Sequence, residues 1–135
     1  MAAGPETLGL VYFAAVKFAG YTAAASFIKR RIPTSTTSAW LVGGVRTVIG
    51  IAAGLGTMFV FSRLGIVRSE ISFYALLAPI RIGEWLVLLA LFFRRPEWDW
   101  PRALKLAALG TVWSYVLDIP AIAAVFVIPV RAWIC

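Results

Sequence analysis

The chain has 135 residues, of which 61% are hydrophobic and only 14% are charged. An average soluble domain is about 45–50% apolar and about 25% charged, and a protein of this size exposes too much surface to be covered by so few charges. Together with a mean hydropathy of +0.89, this composition excludes a soluble globular fold. The net charge of +7 comes from 13 Lys and Arg against 6 Asp and Glu.

The basic residues lie between or inside long apolar runs. An excess of Lys and Arg is typical of the cytoplasmic loops of membrane proteins, where anionic lipid attracts it. We therefore expect the lipid bilayer, and no nucleic acid, as the partner of this positive charge.

Several kinds of chemistry are excluded by the residues that the sequence lacks. It contains no His, Asn or Gln, and its single cysteine is Cys135. Without His there is no ligand for histidine-held metals or ordinary haem and no base for Ser-His catalysis. One cysteine supports neither a CxxC redox pair nor an internal disulfide. We expect no cofactor, no metal site and no catalytic residue, and therefore a protein that is not an enzyme.

Four apolar segments cover about 8–28, 39–62, 71–93 and 103–130. Each is near the roughly 20 residues that cross about 30 Å of hydrocarbon. Continuous apolar runs predict helices, because lipid leaves every backbone polar group to be satisfied within the protein. The sequence predicts an all-α, polytopic integral membrane protein: a single membrane domain, 1–135, of four transmembrane helices in a bundle, with no soluble domain.

The first segment has Lys17 near its middle and is followed by three basic residues at 29–31. A signal peptide has its basic residues before the apolar stretch, so this order predicts a retained helix. At helical spacing Lys17 shares one side with Gly9, Phe13, Gly20 and Ala24.

The second segment has a stripe of small residues that includes a GxxxG pair, Gly50 and Gly54. Such stripes allow two helices to approach closely in a membrane. We expect helix packing at Gly43, Gly50 and Gly54, and Arg46 borders this stripe.

The third segment places Arg81 and Glu84 at i, i+3, a spacing at which the two side chains can pair on one helix face. Pro79 precedes this pair by two residues, and we expect it to kink the helix. The fourth segment is longer than a span requires, so we expect a tilt or a kink. Its Thr111, Ser114 and Asp118 form a polar stripe, and Pro120 follows two residues later, where we expect a kink.

Five charged residues therefore lie inside the expected spans, and they are the candidate functional residues: Lys17, Arg46, Arg81, Glu84 and Asp118. Each costs about 2.5–3.5 kcal/mol at the bilayer centre when it faces lipid. We expect all five to face the interior, either as a salt-bridge network or as an ion or proton site.

One of the three intramembrane cations has no matching carboxylate. A buried unpaired charge is costly, so something must offset it. A bound small anion, a water-filled cavity, a neutral lysine or a carboxylate of another chain would do so. Alternatively, Arg46 snorkels to the interface and leaves a balanced network of the other four.

The loop charges predict the orientation. The first and third loops hold seven cations, Lys29, Arg30, Arg31, Arg94, Arg95, Arg102 and Lys105, and the opposite side holds three, Arg63, Arg68 and Arg131. The positive-inside rule then places both termini on the non-cytoplasmic side, and we expect a plasma (inner) membrane location.

Two functions remain open from the sequence. The first is a non-catalytic subunit or interaction partner in a membrane complex, with other membrane subunits or copies of this chain as partners. The second is a small oligomeric transporter or channel for protons or a small anion. The small size and the unmatched cation favour the subunit.

Overall fold

The computed structural model describes residues 5–32, 36–65, 69–93 and 99–127, and within them the chain forms four helices and no strand. They are α1 (Pro5–Arg31), α2 (Ala39–Leu64), α3 (Glu70–Phe92) and α4 (Trp100–Val127). The predicted all-helical class is confirmed, and so is the order of the four elements.

Three of these helices contain segments long and apolar enough to cross a membrane: Thr7–Arg31, Ala39–Leu64 and Ile71–Phe92. This finding supports a membrane protein. That α4 forms a fourth span stays a prediction, and the end of the expected fourth segment, 128–130, lies outside the described residues.

Helix ends follow local sequence signals. Gly65 takes a left-handed conformation, φ 62°, after the last turn of α2, and its N–H donates to Phe61 O. Glycine adopts this conformation without a steric penalty. The Ser69 hydroxyl accepts a hydrogen bond of 3.2 Å from Ser72 N at the start of α3. The fourth apolar segment is expected to begin at about 103, but α4 already begins at Trp100, because proline is tolerated in a first helical turn.

Each helix packs against two others, most extensively α1 on α2 and least extensively α2 on α3. Neighbouring helices are antiparallel. Lys17 of α1 pairs with Asp118 of α4, and three residues further along α1 the Gly20 carbonyl accepts from Trp113 Nε1, five residues earlier in α4, at 3.0 Å. Phe61 near the end of α2 meets Phe73 near the start of α3, with ring centroids 6.3 Å apart. The helices therefore surround a shared interior to which all four contribute.

The apolar core is concentrated toward one end of this interior. Its fully buried members include Ala25 of α1, Val42 of α2, Trp85 and Leu88 of α3, and Ala107 of α4. The opposite, outward faces carry large apolar side chains, as expected of helices that contact lipid.

Gly110 and Gly83 make a matched pair for testing this packing. A Cβ at Gly110 would lie 2.5 Å from Trp85 Cδ2, whereas nothing lies within 4 Å of a Cβ at Gly83. We expect Gly110→Ala to destabilise the protein by about 1–3 kcal/mol through overpacking, and Gly83→Ala to be neutral or to stabilise it by about 0.5–1 kcal/mol. Thermal unfolding in one detergent measures both; equal effects would contradict this packing.

Candidate functional site

The structure brings together all five charged residues that the sequence places inside the expected spans. Lys17, Arg46, Arg81 and Asp118 are buried, with 4%, 1%, 6% and 5% of their surface exposed. The side chain of Glu84 is 10% exposed. The five come from all four helices, and four of them, all except Asp118, line one interior cavity. We call the five residues the charge cluster.

Three ion pairs lie within the charge cluster, each between different helices, and they form two separate groups. Lys17 Nζ pairs with Asp118 Oδ1, Arg81 Nη1 lies 2.7 Å from Asp118 Oδ2, and Arg46 Nη2 lies 2.7 Å from Glu84 Oε2. The pairing expected between Arg81 and Glu84 is therefore wrong. The two side chains share a helix but turn to different neighbours, Arg81 toward α4 and Glu84 toward α2.

Arg46 does not take the position that the snorkelling alternative predicts. It does not snorkel to the interface, because only 1% of it is exposed and its guanidinium lies inside the charge cluster. Gly50 makes room for it: a Cβ there would lie 2.9 Å from Arg46 Nη1. Arg46 pairs with Glu84, whereas Lys17 and Arg81 share the single carboxylate of Asp118. The unmatched positive charge therefore lies in the interior, at Lys17 and Arg81.

Aromatic rings surround the cations and offset part of that charge. Arg46 Cζ lies 4.8 Å from the Tyr21 ring centroid and 5.2 Å from that of Trp85. Arg81 Cζ lies 4.4 Å from the Tyr115 centroid. A cation over a desolvated ring is stabilised by about 2 kcal/mol. These rings therefore compensate part of the cost of burying the cations, in a way that the sequence analysis does not include.

Lys17 has a similar aromatic setting within its own helix. Its Nζ lies 5.3 Å from the Phe13 ring centroid and 5.7 Å from that of Tyr21. Phe13, Lys17 and Tyr21 are spaced at i, i+4 and i+8, so their shared face was readable from the sequence. Tyr115 and Trp85 were not, because they reach their cations from other helices.

Ser114 is the polar centre of the charge cluster and is fully buried. Its hydroxyl donates to Gly110 O at 2.9 Å. The same oxygen accepts from Trp85 Nε1 at 3.1 Å and Tyr21 OH at 3.3 Å, and Arg46 Nη2 lies at the longer distance of 3.5 Å. The sequence placed Ser114 on a polar stripe but gave no sign that donors from three other helices converge on it.

We expect Ser114→Ala to lower the free energy of unfolding by about 1–3 kcal/mol, because it leaves the buried indole and phenol donors without an acceptor. Ser62→Ala is the matched control, since Ser62 is exposed and bonds only Phe59 O of its own helix. Chemical unfolding followed by tryptophan fluorescence measures the difference. If both variants unfold alike, the convergence on Ser114 does not stabilise the fold.

A cavity of about 20 Å³ lies beside the charge cluster, between α1, α2 and α3. Its lining includes Lys17, Arg46, Arg81 and Glu84, together with Gly50 and Gly54. A space of about 10–15 Å³ is enough for one water molecule. The cavity therefore has room for a water-sized species surrounded by three cations and one carboxylate.

The residues expected to shape the helices take different positions. Gly43 packs against the backbone of Thr22 on α1, where a Cβ would lie 2.8 Å from the amide nitrogen. Gly50 and Gly54 line the cavity instead. Pro79 and Pro120 both lie inside helices that continue past them.

Several sequence expectations fall outside the described residues: the loop cations Arg68, Arg94, Arg95 and Arg131, and Cys135. Over the described ranges, no group of three or more His, Cys, Asp or Glu is placed to hold a metal ion. Comparison with protein-family models, curated proteins and solved structures finds no match. The role of this chain is therefore inferred from its own side chains.

Proposed function

We propose that this chain is a four-span membrane protein that acts as a non-catalytic subunit or interaction partner of a membrane complex. The observation that carries the proposal is that every member of the charge cluster has an ion-pair partner within this chain. Both carboxylates already pair with cations of other helices, and the adjoining cavity is only water-sized. Such a cluster fixes the rotation and depth of the four helices relative to one another. This is a structural role, as expected of a non-catalytic subunit.

The fourth span is part of this proposal. Asp118 of α4 pairs with Lys17 and Arg81, which lie well inside two helices that are apolar enough to cross a membrane. A helix whose carboxylate meets those cations must run beside them at the same depth. This contact supports a bundle of four transmembrane helices.

Orientation and location are also proposed. The end of α1 and the start of α4 lie at the same end of the helices, where Arg30, Arg31, Arg102 and Lys105 are exposed. The positive-inside rule places this end in the cytoplasm and both termini on the other side of a plasma (inner) membrane.

The test of the subunit role is extraction of the tagged full chain from its source membranes in mild detergent, followed by native mass spectrometry. We expect a complex with other membrane chains at a fixed ratio. The double variant Arg46→Met/Glu84→Gln should assemble at the same ratio, because the charge cluster acts within the chain. Recovery of this chain alone, or with copies of itself only, would contradict the subunit.

A second candidate, an oligomeric transporter or channel for protons or a small anion, is favoured by one observation. The cavity adjoins the unmatched positive charge and the partly exposed Glu84. Reconstitution of the purified chain in liposomes with a pH or chloride gradient distinguishes the two. If the chain is a subunit, the liposomes should leak protons and chloride no faster than empty liposomes. A faster flux that Asp118→Asn or Glu84→Gln abolishes would establish the transporter.

A further inference from the structure

A second feature of the molecule is an apolar groove of about 460 Å³ between α1 and α4. It is lined by α1 residues between 23 and 28, α4 residues between 106 and 113, and Trp85. We call it the α1–α4 groove. Small residues, Ala23, Ala24 and Gly110, form a depression between the larger side chains of Phe27 and Trp113.

The groove is closed toward the middle of the helices. There, the Trp113 indole of α4 donates to Gly20 O of α1 at 3.0 Å and joins the two helices. In the other direction the groove runs toward the end of α1 and the start of α4. Residues 106–113 of a helix span roughly 10 Å, so the groove covers about that length along the helix axis.

Cations cluster at the end toward which the groove runs. The described residues there include five, Lys29, Arg30, Arg31, Arg102 and Lys105, against one acidic residue, Asp99. Arg31 Cζ lies 5.2 Å from the ring centroid of Phe27, a residue of the groove wall. Arg102 and Lys105 precede Leu106 and Leu109 by one helical turn, so they lie just beyond the same opening.

The cations at this opening are available to a ligand. Arg30, Arg31, Arg102 and Lys105 are exposed, and none of them forms an ion pair with another of the described residues. Lys29 differs, because its Nζ donates to Thr37 O at 2.9 Å. An apolar groove that leads to exposed cations at a membrane surface matches the two parts of an anionic phospholipid.

We propose that the α1–α4 groove binds an anionic phospholipid, with an acyl chain in the groove and the headgroup phosphate against Arg31, Arg102 and Lys105. The choice of a lipid rests on charge complementarity, because exposed cations at the opening of an apolar groove match an anionic headgroup joined to an acyl chain. This site is separate from the charge cluster, and it rests on the membrane depth proposed for α4.

The test uses native mass spectrometry of the full chain with phosphatidylglycerol and phosphatidylcholine of identical acyl chains. We expect one phosphatidylglycerol to be retained in preference to phosphatidylcholine. Arg102→Gln/Lys105→Gln should lower that preference by about fivefold for each charge removed. Arg63→Gln is the matched control, because Arg63 is an exposed cation in the last turn of α2, at the opposite end of the helices.

A second pair of variants tests the groove itself. Ala23 is exposed and lines the groove, so Ala23→Trp should fill the groove and abolish retention of both lipids. The control is Ala15→Trp, because Ala15 is exposed but lies outside the groove. This variant should leave lipid retention unchanged. Equal retention of the two lipids by the unmodified chain would overturn the proposal. The proposal would also be overturned if Arg63→Gln lowered the preference for phosphatidylglycerol as much as Arg102→Gln/Lys105→Gln does. A bound protein chain that is displaced by Ala23→Trp but not by Arg102→Gln/Lys105→Gln would overturn it as well.

Discussion

Asp118→Asn is expected to lower the free energy of unfolding by about 3–5 kcal/mol, the usual cost of removing one partner from a buried ion pair. The Asp118 carboxylate is shared by Lys17 and Arg81, and all three side chains are 5–7% exposed. Asparagine keeps the shape but removes the charge, so two interior cations lose their counter-ion at once. Unfolding in mixed micelles, followed by tryptophan fluorescence, measures the loss.

The control for this variant is Asp99→Asn, at an exposed acidic residue that immediately precedes α4. We expect it to unfold within about 0.5 kcal/mol of the unmodified chain. Adding Lys17→Met to Asp118→Asn should recover part of the loss, since one of the two uncompensated cations is then gone. An Asp118→Asn protein as stable as the Asp99→Asn control would show that the pairs do not hold the helices together.

Glu84→Gln is expected to have the second largest effect, about 3 kcal/mol, because it leaves the Arg46 guanidinium in the interior without a carboxylate. The double variant Arg46→Met/Glu84→Gln should return close to the stability of the unmodified chain, since an apolar replacement of a buried pair is often neutral. The cycle of two single variants and the double variant measures the coupling free energy. Losses that simply add would contradict a direct pair.

This cycle also bears on function. A subunit whose charge cluster is structural keeps its partners when the Arg46–Glu84 pair is replaced by side chains of similar size. A transporter loses its flux under the same replacement, because the carboxylate and the cavity beside it are then altered. Stability and assembly measured on the same double variant therefore separate the two proposed functions.

The sequence by itself determined the class of protein and the extent of its helices. Local composition decides both: an apolar run of about 20 residues has to satisfy its own backbone in lipid, and the only open-chain solution is a helix. The expected and observed helices therefore agree to within three residues at each described end. The inward placement of the five charged residues follows from the same energetics, since lipid penalises each of them.

Only the tertiary structure decided which charge meets which. Helical periodicity shows that Arg81 and Glu84 share a face, but it does not give the rotation of α3 relative to α2 and α4. Those rotations direct Arg81 to Asp118 and Glu84 to Arg46. They depend on close contacts between distant residues, such as Gly110 against the Trp85 ring, and no spacing within one helix encodes them.

The unmatched cation illustrates the same distinction between what the sequence determines and what the tertiary structure determines. The order of residues alone established that three positive and two negative residues lie within the apolar runs. The extra charge resides where Lys17 and Arg81 share Asp118, and this depends on three helices reaching a common depth. Burial is a property of each helix and can be read from its sequence, whereas the partners of a buried charge depend on how all the helices pack.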